Sequence, residues 1–234
     1  MKIDAKILKE YIKKVTMNND MMTFNLNFTE NGVTSSLKGI ENVTMTIGKL
    51  NKEAFETYET IGEIFIRNSV LMTTMLDSFK DIIEIEKVED YALKISENKR
   101  EVFIMLGEEQ TCDNIIRKEK PELDSKINLN LFKKDLTPVI KDMATLKINK
   151  IDLHNENKFL TFSVGSKNDS EHTNNIVQTD IDEKVKVSVG KSIKSFYDSL
   201  TDGFVLKIGN DIPLLFIETT PLMTIETYIA PMVK

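Results

Sequence analysis

Lys2-Ile3-Asp4-Ala5-Lys6-Ile7-Leu8-Lys9 opens the chain, and Lys126-Ile127-Asn128-Leu129-Asn130-Leu131-Phe132-Lys133 reopens it near the midpoint. Each stretch reads as a short strand running into an amphipathic helix. A second echo lies deeper in each half. Leu76-Asp77-Ser78-Phe79 ends a helix in one, and Tyr197-Asp198-Ser199-Leu200 ends a helix in the other. Two echoes in the same order, about half a chain apart, point to two copies of one domain. Such internal pseudo-symmetry makes a good unit for a closed assembly.

Working outward, the first half reads strand 2–4, helix 5–16, and strands over 23–28, 33–37, 43–47 and 63–66. A helix over 70–80 and strands over 82–88, 91–95 and 102–106 complete it. Thr23-Phe24-Asn25-Leu26-Asn27-Phe28 alternates with period two, the pattern of a half-buried strand. Glu30-Asn31-Gly32 predicts a tight Asn-Gly hairpin turn. The second half reads strand 126–128, helix 131–143, strands 150–153, 159–164, 175–180 and 185–189, helix 191–200, and strands 204–208, 214–218 and 224–229. The expected organisation is a first domain over 1–107, a polar linker over 108–125 holding Pro121, and a second domain over 126–234. The expected class is α+β, with two helices packed on antiparallel sheets in each domain.

Composition narrows the function. The 234 residues carry a net charge of −6, which argues against a simple basic protein wrapped by nucleic acid. Yet almost all 31 basic residues are lysine; only Arg67, Arg100 and Arg117 are arginine. Lysine is a mobile point charge, whereas arginine supplies the fork that reads bases. Any contact with DNA should therefore be non-specific, although an AT-rich coding sequence gives the same lysine bias. The single Cys112 excludes an intramolecular disulfide and fits a reducing compartment. His154 and His172 sit in polar stretches and read as surface residues. No leader pattern opens the chain, and no apolar run approaches the ~18 residues that span a bilayer. A soluble, intracellular protein with no membrane contact is expected.

At about 100° per residue, Leu8, Tyr11, Ile12 and Val15 share one face of the first helix, opposite Lys6, Lys9 and Lys13. In the third helix Phe132, Leu136, Val139 and Met143 oppose Lys134 and Lys141. In the fourth, Ile193, Phe196, Tyr197 and Leu200 oppose Lys191, Lys194 and Ser195. The second helix differs: its exposed face is expected to carry Thr73, Thr74 and Asp77. One lysine-faced helix is ordinary solvated surface. Three of four in an acidic protein form a pattern suited to facing phosphates without gripping them. Pro138 interrupts the third helix, where a lost donor and a ring clash cost roughly 3 kcal/mol, so a kink or a shortened helix is expected there.

No phosphate loop, dinucleotide fingerprint, zinc-protease motif or nucleophile elbow occurs. Acidic pairs such as Glu89-Asp90 and Glu108-Glu109 fall in turns or the linker. No catalytic residue, no cofactor and no metal site is expected.

Several short motifs lie in a characteristic order. Gly32-Val33 is followed by Val43 and then Phe55-Glu56-Thr57-Tyr58; near the end stand Asp211-Ile212-Pro213-Leu214 and Tyr228-Ile229-Ala230-Pro231. With the repeat and the lysine-faced helices, they resemble the sliding DNA clamps, namely proliferating cell nuclear antigen and the T4-type phage clamps. Lys38-Gly39 and Glu41-Asn42 depart from the antigen branch, and the compact strand run after Lys80 is closer to the phage clamps.

The resemblance implies a DNA-clamp fold and a ring, generally a homotrimer. Such a ring encircles double-stranded DNA, is placed there by a clamp loader and tethers a DNA polymerase. It implies DNA-facing roles for Lys6, Lys9, Lys13, Lys134, Lys141, Lys191 and Lys194. It implies subunit-joining strands holding Val102, Ile104 and Leu106 in the first domain and Ile176 and Gln178 in the second. It also implies a partner-peptide pocket at Val43, Met45, Leu123, Tyr228, Ala230 and Pro231, although Val43, Met45 and Tyr228 could equally be ordinary core. Two other readings remain open: a monomeric or heteromeric clamp-like DNA-binding protein, and an intracellular enzyme on a duplicated α+β fold.

Overall fold

Strand β1 (Lys2–Asp4) ends on the residue that starts the first helix. The Asp4 carboxylate accepts the Lys6 N–H at 2.7 Å, so α1 (Ala5–Val15) begins on a capped end, an arrangement worth about 1 kcal/mol. Its apolar stripe is buried as the periodicity requires: Leu8, Tyr11, Ile12 and Val15 are all essentially inaccessible. The computed structural model describes residues 1–39, 41–115, 120–165 and 172–232. They form two units, Met1–Lys118 with Thr219–Ile225 and Glu119–Glu218 with Glu226–Lys234.

In the first unit β2 (Phe24–Thr29), β3 (Gly32–Lys38), β4 (Thr44–Asn51), β5 (Phe55–Thr57) and β6 (Gly62–Ile66) precede α2 (Ser69–Leu76). Then come β7 (Ile82–Val88), β8 (Ala92–Glu97) and β9 (Arg100–Met105). One sheet runs β5-β1-β7-β8-β9; a second group runs β6-β2-β3-β4. All the described pairings in both are antiparallel. Helix α1 lies against β3 and β4, where Tyr11 donates its hydroxyl proton to Ser35 Oγ at 3.0 Å and Ser35 in turn donates to the Asn25 carbonyl at 2.7 Å. The approach is close because Gly48 of β4 has no side chain. A Cβ there would lie 2.2 Å from Val15 Cγ1 and 3.1 Å from the Tyr11 ring.

In the second unit β10 (Ile127–Phe132) leads into α3 (Lys133–Leu146), followed by β11 (Ile151–Glu156), β12 (Phe159–Val164), β13 (Thr173–Gln178) and β14 (Val185–Val189). Helix α4 (Ser192–Ser199), β15 (Gly203–Ile208) and β16 (Leu214–Thr219) follow. The last strand, β17 (Met223–Ile229), contributes Glu226–Ile229 to this unit and Met223–Ile225 to the first. One sheet runs β13-β12-β11-β14; β10, β15 and β16 are neighbours in the other. Phe196 of α4 sits 4.2 Å from the Phe216 ring and 5.6 Å from that of Phe204, which fastens the helix to β15 and β16. Each unit thus carries two helices on antiparallel sheets, the α+β arrangement that the repeat implied. No described helix is long and apolar enough to cross a membrane.

Several local expectations are corrected. The hairpin turn is Glu30-Asn31, because Thr29 pairs with Gly32. Gly32 is needed instead for its φ of +117° and for its approach to the β4 backbone, where a Cβ would meet the Leu50 carbonyl at 2.2 Å. Helix α2 is shorter than expected, and its face is rotated. Ser69, Met72, Thr73 and Leu76 are buried, and Val70, Leu71 and Thr74 are exposed. Thr73 tolerates burial because its hydroxyl donates to the Ser69 carbonyl at 2.9 Å. Phe132 does not join the buried stripe of α3. It ends β10 in extended conformation and is exposed, held there by its N–H donating to Asp135 at 2.8 Å. Tyr197 is only partly buried, with its hydroxyl 3.0 Å from that of Thr137. Pro138 does not shorten α3, which runs on to Leu146. It lies in the second turn, where Thr137 Oγ1 donates to the Lys133 carbonyl at 3.0 Å.

Replacing Gly48 with alanine should push α1 away from β4. Overpacking of this kind costs roughly 1–3 kcal/mol. Urea unfolding of Gly48→Ala should show that loss as a lower midpoint; an unchanged midpoint would mean that α1 sits farther from β4 than the structure has it.

Candidate functional site

The helical lysines fall unit by unit. In the first, Lys6 is exposed and Lys9 and Lys13 are partly so, on the α1 face opposite the buried stripe. Lys9 forms an ion pair with Asp77, just beyond the end of α2, so part of its charge is already answered. Lys14, which the periodicity does not single out, is almost wholly buried with Glu10 3.7 Å away. In the second unit Lys134, Lys141, Lys191 and Lys194 are all exposed. Lys134 lies over the Phe132 ring at 5.2 Å, which explains how that exposed aromatic is partly shielded. Its neighbour Lys133 is used structurally, donating to the Leu200 carbonyl at 2.6 Å with its ammonium 4.8 Å from the Tyr197 ring centre.

The end of α3 and the start of α4 frame a cleft of about 260 Å³. Ile140, Met143 and Ile148 form its apolar lining, and Lys147, Lys191 and Lys194 its charged lining. Lys147 caps α3 in left-handed conformation, φ 55°, its N–H donating to the Met143 carbonyl. The sequence reading missed it because it falls past the expected end of the helix. The one available signal was the Lys-Ile-Asn-Lys run that closes the helical pattern.

Two sheet edges, β9 and β13, carry the largest exposed apolar side chains on their strands. Among the described residues, no backbone hydrogen bond crosses the outer edge of β9 or of β13. Two further edges, β14 and β6, are covered. The outward side of β14 gives the Lys186 N–H to Asn210 Oδ1 at 3.2 Å and takes the Met232 N–H on the Ser188 carbonyl at 2.8 Å. On β6 the Phe65 carbonyl accepts the Gly107 N–H at 2.8 Å. The open edges also display apolar side chains: Phe103 and Met105 on β9 are 56% and 63% exposed, and Ile176 on β13 is 63% exposed. Gln178 is exposed beside it. Of the residues read for these strands, Ile104 faces the interior, Val102 is half-buried, and Leu106 lies just past the end of β9 and is half-buried. Phe103 and Met105 were missed because the alternation along β9 was set one residue out of phase.

The residues read as a peptide pocket are divided between the units. In the first, Val43 is exposed and precedes β4, while Met45 is half-buried on that strand. In the second, Leu123, Ala230 and Pro231 are half-buried. Tyr228 is buried, and its hydroxyl donates to Glu226 at 2.7 Å. Glu226 also accepts from Lys120 at 2.6 Å. Burial, and then the hydrogen bond to the Glu226 carboxylate and its charge, push the Tyr228 phenol well above the ordinary tyrosine range. His154 and His172 are exposed. No cluster of described His, Cys, Asp and Glu side chains could hold a metal ion.

This fold is found in solved sliding clamps. Proliferating cell nuclear antigen (PCNA) of Entamoeba histolytica matches with a TM-score of 0.82 and 18% identity, over 99% of this chain and 98% of that one. PCNA of A. fulgidus, solved with the C-terminal region of FEN-1 bound, matches at 0.80 and 16%, over 100% and 98%. The PCNA2–PCNA3 complex of Sulfolobus tokodaii matches at 0.76 and 16%, over 99% of both chains. No protein-family model and no curated protein matches the sequence. At such low identity the likeness establishes the fold.

The raised Tyr228 phenol gives a testable pH dependence. Below the ordinary tyrosine pKa both folded and unfolded chains hold the proton. Above it the unfolded chain releases its proton first, so stability falls as the pH rises. Glu226→Gln removes one of the three causes and should bring the Tyr228 titration down towards the ordinary range in an ultraviolet phenolate titration. No displacement would mean that the Glu226 charge plays no part in setting the value.

Proposed function

We propose that the chain is a DNA sliding clamp, a non-enzymatic processivity factor that closes into a homotrimeric ring around duplex DNA inside the cell. The observation that carries this reading is the pair of open, apolar edges β9 and β13 on a clamp fold. An unpaired six-residue strand with exposed Phe103 and Met105 is an association hazard unless something covers it. Pairing β9 of one copy with β13 of the next satisfies both edges and buries Phe103 and Met105 against Ile176. Because the two patches differ, the contact is head-to-tail, and head-to-tail contacts close into rings when the rotation permits.

The ring accounts for the lysines. Lys6, Lys9 and Lys13 in one unit and Lys134, Lys141, Lys191 and Lys194 in the other meet phosphates through screened point charges, which attract the duplex without fixing a register. Topology holds the ring on DNA, so weak contacts serve better than tight ones. Clients are a DNA polymerase and a clamp loader. Just as the A. fulgidus protein holds the C-terminal region of FEN-1, this chain receives client peptides, with contacts at Val43 and Met45 of the first unit and contacts at Leu123, Tyr228, Ala230 and Pro231 of the second. A second reading, a subunit of a mixed ring, draws on the paired PCNA2 and PCNA3 of Sulfolobus tokodaii.

Light scattering at tens of micromolar should give the mass of three chains, and Phe103→Glu or Ile176→Glu should return it to one. A monomeric wild type would favour the mixed ring. Alanine at Lys6, Lys13, Lys134 and Lys141 should weaken duplex retention regardless of sequence and lower its salt dependence by about one unit of slope per lost phosphate contact. Lys9→Ala alone should do less, since Asp77 already pairs with it. Undiminished processive synthesis by the fourfold variant would remove these lysines from the DNA surface.

A further inference from the structure

Residues 120–126 run up to β10 with no helix or strand of their own, so ties to the rest of the second unit must fix them. They lie as a strap with one face turned in: Pro121, Leu123 and Ser125 are half-buried, while Glu122, Asp124 and Lys126 are exposed. The end next to β10 is tied through the backbone, the Lys126 N–H donating to the Ile208 carbonyl at 2.8 Å. The other end is tied by a side chain. Lys120 Nζ donates to Glu226 Oε1 of β17 at 2.6 Å, between residues 106 apart in sequence. Leu123 sits midway between the two ties.

Glu226 differs from an ordinary surface partner. Its side chain is 16% exposed, against 53% for that of Lys120. Its second oxygen, Oε2, accepts the hydroxyl of buried Tyr228 at 2.7 Å. Residues two apart on a strand share a face, which brings the phenol and the carboxylate together on β17. The phenol holds the carboxylate in one orientation and leaves Oε1 for Lys120. Pairs of free surface side chains lose much of their attraction to the entropy of holding both still. Here one partner is already held.

We infer that Glu226 is a positioning residue that clasps the 120–126 strap to β17: Tyr228 orients its carboxylate, and the carboxylate holds Lys120 and, through it, the placement of Leu123. The purpose of the clasp rests on the client-peptide reading; the clasp itself does not. On that reading Leu123 and Tyr228 are set in place before a peptide arrives, and a surface ordered in advance gives up less entropy on binding. Because the hold is an ion pair, rising salt slackens it.

Amide hydrogen exchange of the full-length chain, read by mass spectrometry over 120–126, tests the clasp without any client. At low salt Glu226→Gln and Lys120→Met should each speed exchange there by about three- to fivefold, the scale of a single ion pair. The double variant should be no faster than either single one, because both remove the same contact. Salt near 1 M, where the screening length falls to about 3 Å, should bring wild-type exchange up to that of the variants and leave theirs unchanged. Tyr228→Phe, which keeps the ring and loses the hydroxyl, should speed exchange in the wild-type background and add nothing to Glu226→Gln. Unchanged exchange in the single variants, additive effects in the double, or a wild type indifferent to salt overturns the clasp. So does acceleration that spreads equally over β10 and β15, which would make Glu226 a residue of general stability. Any of these results leaves the client reading standing, and failure of that reading would leave these exchange rates as they are.

Discussion

The close approach of α1 to β4 is the constraint on which the first unit depends. Tyr11 and Val15 can sit flat on the strand only because position 48 lacks a Cβ. Once seated, Tyr11 reaches Ser35, and Ser35 reaches the Asn25 carbonyl, so one helix residue ties β3 to β2 through buried hydrogen bonds. Buried polar groups of this kind are costly when unpaired and specifying when paired. In the second unit α4, which the repeat pairs with α2, is seated by different chemistry. There Phe196 packs on Phe216 and Phe204, and the helix is held by aromatic area rather than by a tyrosine hydroxyl.

Charge and edges divide the surface into tasks. The fold leaves β9 and β13 open, yet it blunts β14 with Asn210 and the Met232 amide and β6 with Gly107. The helices carry lysines that are mostly exposed, and the exceptions are informative. Lys133 is committed to the Leu200 carbonyl and Lys9 to Asp77. Structural lysines and lysines available to a polyanion thus alternate along the same helices. For the proposed clamp this is a workable balance: enough charge to attract a duplex and little fixed geometry to arrest it.

Much of this was legible in the sequence because periodicity is a local property. The α1 stripe follows from a 3.6-residue spacing, and the β2 and β12 strands follow from alternation or apolar runs bounded by turns. The duplication is visible because the two strand–helix openings share a pattern. The motifs around Gly32, Phe55, Asp211 and Tyr228 added the clamp fold, which the comparison of structures then matched over nearly the whole chain. The misreadings came where a neighbour overrides the local pattern. Thr73 is buried because its hydroxyl finds a carbonyl one turn back; Phe132 is exposed because Asp135 fixes its backbone before the helix begins.

The sequence by itself determined the class, the order of nearly all elements, the buried face of α1 and the positions of the helical lysines. Each depends on residues within one or two turns of one another. Only the tertiary structure decided which side of β9 is exposed, which sheet edges stay open, and that Lys147 stands beside Lys191 and Lys194 around an apolar floor. Those features depend on residues far apart in the chain. A strand's phase flips with a shift of one residue, and a cleft exists only where two helix ends meet, so neither is written in any single stretch.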